Sequence, residues 1–116
     1  MGYRIANSAL RKELLENELE RIVTILKQES ICKIILFGSM CGENIGSASD
    51  IDLVVVRETQ KRYLQRIEEL IQLIKPRYAI DILVYTPQEF ERLRLTNPFV
   101  RQITSQGKVL YERERI

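Results

Sequence analysis

Hydrophobic positions recur along the chain with two different periods. Between residues 8 and 29 they recur near helical spacing, which predicts one long amphipathic helix with its charged residues in solvent. Residues 34–37 and 51–56 are instead short, unbroken apolar runs, typical of buried strands. The apolar positions of the helix are Leu10, Leu14, Leu15, Leu19, Ile22, Val23, Ile25 and Leu26. We expect this wide stripe to pack on the core, although such a stripe also suits a surface that meets a partner.

The second half of the chain alternates helices with strands. Thr59 is placed to cap a helix over residues 59–74, which Pro76 ends. The apolar side of this helix, expected to face the sheet, consists of Leu64, Ile67, Leu70, Ile71 and Ile74. Residues 78–85 alternate before becoming apolar and predict a third strand. This order of elements predicts an α/β (α+β) fold, a small mixed sheet with flanking helices.

Two cap-and-proline signals follow the third strand. Residues 86–89, Thr-Pro-Gln-Glu, have the form of a capping box with proline at the first helical position, so a helix is predicted from there to about Leu95. Asn97 followed by proline repeats the signal, and a second short helix is expected to end at Gly107. Residues 108–111 are predicted to form a final edge strand.

The composition is that of an ordinary globular chain. Of 116 residues, 45% are hydrophobic and 29% charged, which predicts one domain that buries its own core. The 18 basic and 16 acidic residues are mixed along the sequence and give a net charge of +2, so we expect neither direct nucleic-acid binding nor membrane binding. Without a signal pattern or a bilayer-spanning run, a cytoplasmic location is expected.

Histidine is absent from the sequence, which narrows the chemistry. A histidine base, a Ser-His triad and imidazole metal ligation are all excluded. Cys32 and Cys41 are too few for a disulfide framework and match no zinc spacing, and Cys41 is expected to be a packing residue. Any catalysis must therefore rest on carboxylates, hydroxyls and metal.

A polar loop between the first two predicted strands carries the candidate chemistry. Gly38 would allow a tight turn and the close approach of a phosphate, and Ser39 offers a hydroxyl and an amide where a helical turn could begin. Beyond the loop, Asp50 and Asp52 lie two residues apart, so both are expected on one face of the second strand. Neighbouring carboxylates repel each other, and Mg²⁺ with phosphate oxygens around it would relieve that repulsion. If the loop has no functional role, it is expected to be a glycine-rich surface turn.

Asp81 is the third candidate carboxylate. On the predicted third strand it shares a face with Leu83 and Tyr85. An acidic residue within a strand is unusual. If Asp81 has no role in a site, it is expected to form an ion pair with a nearby lysine or arginine. Convergence with Asp50 and Asp52 would instead give a site of three carboxylates.

The spacing of these motifs resembles a known signature. Gly38-Ser39, ten intervening residues and then Asp50-x-Asp52 are similar to the signature of the nucleotidyltransferase superfamily that includes DNA polymerase β and the kanamycin nucleotidyltransferases. At this length the chain most resembles the minimal nucleotidyltransferase (MNT) proteins, which implies a polymerase β-like fold. Asp81 falls where that family keeps its third carboxylate, and residues 107–111 are also family-like. The family usually has one or two arginines directly after Gly-Ser, whereas no basic residue occurs here until Arg57.

This resemblance implies a Mg²⁺-dependent nucleotidyltransferase. Asp50 and Asp52 would hold the metal on the phosphates of the nucleotide, and Ser39 would contact the β- or γ-phosphate beside Gly38. Asp81 would share a metal near the acceptor and serve as general base for the incoming hydroxyl. The products would be a nucleotidylated acceptor and pyrophosphate.

MNT proteins are typically paired with a HEPN-domain toxin. The resemblance therefore implies that this chain transfers AMP from ATP to a tyrosine of such a toxin and acts as its antitoxin. Two further hypotheses stay open. One is a non-catalytic binding module with a vestigial nucleotide site, and the other is a small-molecule nucleotidyltransferase that binds its acceptor between subunits.

Overall fold

Residues 8–41 and 49–114 are described by the computed structural model. Most of the polar loop, including Gly42 and Gly46, lies outside these residues. In chain order the elements are α1 (Ser8–Leu26), β1 (Ile31–Phe37), a 3₁₀ turn (Gly38–Cys41), β2 (Ile51–Arg57), α2 (Tyr63–Ile74), β3 (Ile80–Tyr85), α3 (Pro87–Thr96), α4 (Pro98–Gln106) and β4 (Lys108–Glu112). None of the helices within the described ranges is long and apolar enough to cross a membrane.

The four strands form one mixed sheet in the order β3-β2-β1-β4. β1 is antiparallel to both β2 and β4, and β2 is parallel to β3, with α2 as the crossover that a parallel pair requires. Phe37 at the end of β1 lies opposite Asp52 near the start of β2, and Asp52 lies beside Asp81 near the start of β3. The end of β1 and the beginnings of β2 and β3 therefore lie together at one end of the sheet.

Helices cover both faces of this sheet, and alternation along the strands divides the core accordingly. In β2, Leu53 and Val55 belong to the cluster built with α1 and α2, whereas Val54 and Val56 belong to the cluster built with α3 and α4. β2 is thus buried on both faces, as its unbroken apolar run predicts. The predicted division of β3 is confirmed, since Ile80, Ile82 and Val84 pack on the α1/α2 side and Leu83 and Tyr85 on the α3/α4 side.

The two cap-and-proline predictions are confirmed. Thr86 Oγ1 accepts a hydrogen bond from the Glu89 amide, and Glu89 Oε1 accepts one from the Thr86 amide, which completes the capping box of α3. Asn97 Oδ1 accepts from the amides of Phe99 and Val100 and so caps α4. Gly107 ends α4 as predicted, and β4 follows it.

The predicted start of α2 is wrong. The helix begins at Tyr63 with Arg62 as its N-cap. Thr59 does not cap it, because its Oγ1 accepts a hydrogen bond from the Lys61 amide in a local turn before the helix. Leu64, predicted to face the sheet, is 71% exposed, while Leu70 and Ile74 are fully buried as predicted.

The prediction for α1 also needs two corrections. Leu10 and Leu14 are exposed, because the packing of this helix on the core begins only at Leu15. Glu18, expected in solvent with the other charged residues, is 3% exposed. The side chain of Arg21, one turn further along the same helix, reaches the carbonyl oxygen of Ile74 at 2.8 Å and so ties α1 to the end of α2.

Candidate active site

Gly38 closes β1 and begins the 3₁₀ turn with a φ of +78°, in the left-handed region that favours glycine. A Cβ at this position would lie 2.8 Å from Cγ of Asp52 and would overlap its carboxylate. The sequence motif indicated a glycine that lets a phosphate approach. The geometry adds a second reason for glycine, which is that its missing side chain leaves the space in which the Asp52 carboxylate lies.

Asp52 is the second residue of β2 and is only 1% exposed. Its Oδ1 accepts a hydrogen bond from Ser49 Oγ. The same hydroxyl oxygen lies 3.3 Å from Oδ2 of Asp81. Because a serine hydroxyl has a single proton to donate, it can serve only one of these carboxylates at a time. Ser49 therefore joins two acidic side chains that lie 29 residues apart in the sequence.

Asp81 is brought to Asp52 by the parallel pairing of β2 with β3, in which the two residues are register partners. Both lie on the face of the sheet that α3 and α4 cover, by alternation with Val54 and Leu83. Asp81 is exposed, and it lies on an edge strand, at its second residue. One carboxylate of the pair is therefore buried and the other is open to solvent.

Asp50 is held differently. It lies one residue before β2, so alternation within the strand does not govern the direction of its side chain. Arg11 Nη2 of α1 lies 2.5 Å from its Oδ1, and its Oδ2 accepts a hydrogen bond of 3.3 Å from the amide of Ala79. The Asp50 amide in turn donates to the Ala79 carbonyl at 2.9 Å. Asp50 thus connects α1 with the segment that leads into β3.

The 3₁₀ turn contains the remaining predicted site residue, Ser39, which is exposed. A helical turn was expected to begin at Ser39, and the 3₁₀ turn begins one residue earlier, at Gly38. Met40 and Cys41 then pack against the core, and Cys41 Sγ donates to the Leu36 carbonyl at 3.1 Å. The prediction that Cys41 is a packing residue is confirmed.

The donor atoms at this end of the sheet suit a hard cation by their chemistry. Asp52 and Asp81 offer carboxylate oxygens and Ser49 a hydroxyl, which are the ligand types that Mg²⁺ prefers. Within residues 8–41 and 49–114, however, no three carboxylates or thiols are grouped so as to hold a metal. Two of the predicted carboxylates are brought together, and the third is held by Arg11.

Two residues at this site were not singled out from the sequence. Ser49 directly precedes Asp50, and its position beside the acidic motif was an available signal. Arg11 lies 39 residues from Asp50 along the chain, and no local pattern connects the two. Only the packing of α1 beside the sheet brings Arg11 to the acidic motif.

The site thus combines a glycine turn, a buried strand carboxylate beside it and a second carboxylate on the neighbouring parallel strand. Residues 20–116 match the family described as "Polymerase beta, Nucleotidyltransferase". The chain therefore belongs to the polymerase β nucleotidyltransferase family, as the motif spacing predicted. The predicted polymerase β-like fold is confirmed with it.

A solved structure supports the same fold. It is a crystal structure at 1.40 Å resolution of a candidate nucleotidyltransferase from Sulfolobus solfataricus, similar to this chain with a TM-score of 0.56 and 17% sequence identity. The similarity covers 98% of this chain and 96% of that one. Among curated proteins, no sequence matches the chain.

Proposed function

We propose that this chain is a Mg²⁺-dependent nucleotidyltransferase that transfers AMP from ATP to a hydroxyl group of a protein, a tyrosine of a HEPN-domain toxin for which it serves as cytoplasmic antitoxin. The observation that carries the proposal is the pairing of buried Asp52 with exposed Asp81 at the Gly38 turn, in a chain of the nucleotidyltransferase family. ATP, the tyrosine acceptor and the toxin partner come from the resemblance to MNT proteins.

The proposed reaction is an in-line displacement at the α-phosphorus of ATP. The acceptor oxygen forms a bond to that phosphorus, the bond to the bridging oxygen breaks, and pyrophosphate leaves with its electron pair. Bound Mg²⁺ would neutralise the charge on the attacking and leaving oxygens. Asp52 and Asp81 would hold it, joined by Asp50 once that residue is free of Arg11.

The other contributions come from the chain itself. Asp81 would accept the proton of the attacking hydroxyl, a role that its exposed position on an edge strand permits. The same exposure favours a bulky acceptor, because the side chain of another protein can reach an open strand edge. Ser39, exposed in the turn after Gly38, would donate to a terminal phosphate, and Ser49 would keep Asp52 and Asp81 together.

The test is transfer of label from α-labelled ATP to protein, in Mg²⁺, in a lysate of the host of this chain. We expect one labelled band, identified by mass spectrometry, that is lost with Asp81→Asn. Glu68→Gln is the matched control, since Glu68 is an exposed carboxylate on α2, across the sheet from the site. A band that persists with Asp81→Asn, or no band although the wild type binds Mg²⁺-ATP, would contradict protein nucleotidylation.

A non-catalytic binding module is the second candidate. It is favoured by the contact of Asp50 with Arg11, which occupies one of the three carboxylates, and by the lack of a basic residue between Gly38 and Arg57. Co-expression with the toxin separates the two functions. Rescue of growth by the wild type but not by Asp52→Asn supports the enzyme, and equal rescue by both supports neutralisation by binding alone.

A further inference from the structure

The proposed nucleotide site has a problem of charge. A triphosphate is a polyanion, and the charged candidate residues around it are three aspartates. Mg²⁺ neutralises only part of that charge, so phosphate sites normally add lysine or arginine side chains. The stretch from Gly38 to Val56 contains neither. A cation for the phosphates must therefore come from another part of the fold.

Several basic side chains of the described residues are already committed elsewhere. Arg57 ends β2 at the far end of the sheet, opposite Ile31, and pairs with Glu69 at 3.0 Å. Arg66 is held by Glu89 at 2.7 Å and by the carbonyl of Val84. These cations stabilise the fold away from the carboxylate pair.

Arg11 is different, because its partner is one of the candidate site residues. Its side chain is 52% exposed, and the contact described for it is the one from Nη2 to Asp50 Oδ1. A guanidinium carries five N–H donors, arranged to bind two oxygens of a phosphate at once. Arg11 therefore has the reach to contact the acidic motif and the donors to bind an anion in addition.

We propose that Arg11 binds the triphosphate of the nucleotide. In this proposal, which rests on the proposed function, the guanidinium moves from Asp50 to the phosphates when the nucleotide arrives, and Asp50 becomes available to the metal. The first helix, far from the Gly-Ser motif in sequence, thus supplies the positive charge that the loop lacks. The ion pair with Asp50 keeps Arg11 in place until then.

Calorimetric titration with ATP and with AMP, both in Mg²⁺, tests this assignment. Arg11→Ala should weaken ATP binding by about 10-fold or more and AMP binding by less than about 3-fold, because the lost contacts are to the β- and γ-phosphates. Arg11→Lys should recover part of the ATP affinity, since it keeps the charge without the planar fork. Lys12→Ala is the matched control: Lys12 is the next residue of α1, 77% exposed and 3.9 Å from Glu16, and its loss should leave both affinities unchanged.

Three results would overturn the proposal while the wild type binds ATP. They are unchanged ATP affinity in Arg11→Ala, tighter ATP binding in that variant, and an equal loss of ATP and AMP affinity together with a lower melting temperature. The second result would make Arg11 only a competitor of the metal for Asp50, and the third would make it a structural tie. If the wild type itself binds no ATP, the proposed function fails along with this inference.

Discussion

Two buried carboxylates in the described part of the chain, Glu18 and Asp52, have opposite surroundings. Glu18 on α1 accepts two hydrogen bonds of 2.8 Å from the guanidinium of Arg21 and one of 2.7 Å from the amide of Arg77. Asp52 accepts a hydrogen bond from the neutral hydroxyl of Ser49, and its register partner on the neighbouring strand is another acidic residue, Asp81. One carboxylate has a cation of its own chain as its partner, and the other lies next to a further negative charge.

In the proposed function, this difference separates a carboxylate that stabilises the fold from one that takes part in the chemistry. Burying a charge costs free energy unless an opposite charge and hydrogen bonds compensate it. For Glu18 the compensation is complete within the fold, and the hydrogen bonds from Arg21 hold its pKa below the ordinary value. At Asp52, strands and a glycine instead force two carboxylates together. In the proposed function, a bound Mg²⁺ would neutralise these two charges.

Replacing each carboxylate by its amide should separate the two regions most clearly. If Asp52 ligates the catalytic metal as proposed, we expect Asp52→Asn to lower nucleotidyl transfer by about 10³-fold, because such a ligand supplies several kcal/mol of transition-state stabilisation. Its melting temperature should stay equal or rise, since the repulsion between the neighbouring Asp52 and Asp81 carboxylates is removed. Transfer assays and calorimetry check both. A variant that transfers normally but melts early would show that Asp52 acts as Glu18 does.

Gly38→Ala should damage the same region through its shape. The added Cβ overlaps the Asp52 carboxylate at a positive φ, so we expect a loss of about 2–4 kcal/mol in unfolding free energy together with transfer activity. Gly107→Ala is the control, because its Cβ would lie 2.5 Å from the Ile103 carbonyl, away from the carboxylates. That variant should lose stability and keep its activity per folded molecule. Full activity in Gly38→Ala would contradict the role of glycine in seating Asp52.

Glu18→Gln should affect stability alone. The substitution removes the charge that pairs with Arg21 and accepts from the Arg77 amide, and we expect the unfolding free energy in urea to fall by about 2 kcal/mol. The loss stays this small because Arg21 is partly exposed and water can hydrate it. Nucleotide binding should not change. Glu16→Gln, on the exposed side of α1, should stay within about 0.5 kcal/mol of the wild type. Equal stability of Glu18→Gln and Glu16→Gln would remove the contrast.

The pH dependence of stability gives the finest test. Hydrogen bonds from Arg21 lower the pKa of Glu18 in the folded protein below its ordinary value of 4.5. Its stabilisation is therefore complete above pH 4.5 and is lost as the pH falls through the lowered folded pKa. The difference in unfolding free energy between the wild type and Glu18→Gln should therefore stay constant from about pH 7 to about pH 5 and shrink as the pH falls further, to about pH 3. Glu69 and Glu89, whose pKa values are also lowered, contribute to both proteins and cancel.

Much of the fold was predictable because its signals are local. Branched apolar runs marked β1 and β2, and the Thr86 and Asn97 caps fixed the starts of α3 and α4. The predicted boundaries of α2 and β1 were wrong for two different reasons. Thr59 had the chemistry of a cap but used it in a turn. β1 begins at Ile31, earlier than its apolar run suggested, because it continues as the partner of β2 through a register shift.

The candidate site was predictable only as far as the motif extends. Spacing identified the three aspartates, Gly38 and Ser39, and the parallel strands brought Asp52 and Asp81 together. The ion pair of Arg11 with Asp50 and the hydrogen bonds around Glu18 depend on how α1 packs on the sheet. Such contacts between distant segments leave no period or motif in a single sequence.

The parallel register between β2 and β3 has a consequence for folding fidelity. Ile51 pairs with Ile80, and the pairing continues in step to Val56 and Tyr85. A slip of one residue would turn Asp81 to the opposite face and bring an isoleucine beside Asp52. A misregistered molecule could keep its sheet and still lack the carboxylate pair. In a refolding experiment, the activity regained per molecule would therefore report the fraction of molecules in the correct register. Spectroscopic recovery of β-structure alone would not distinguish these molecules from misregistered ones.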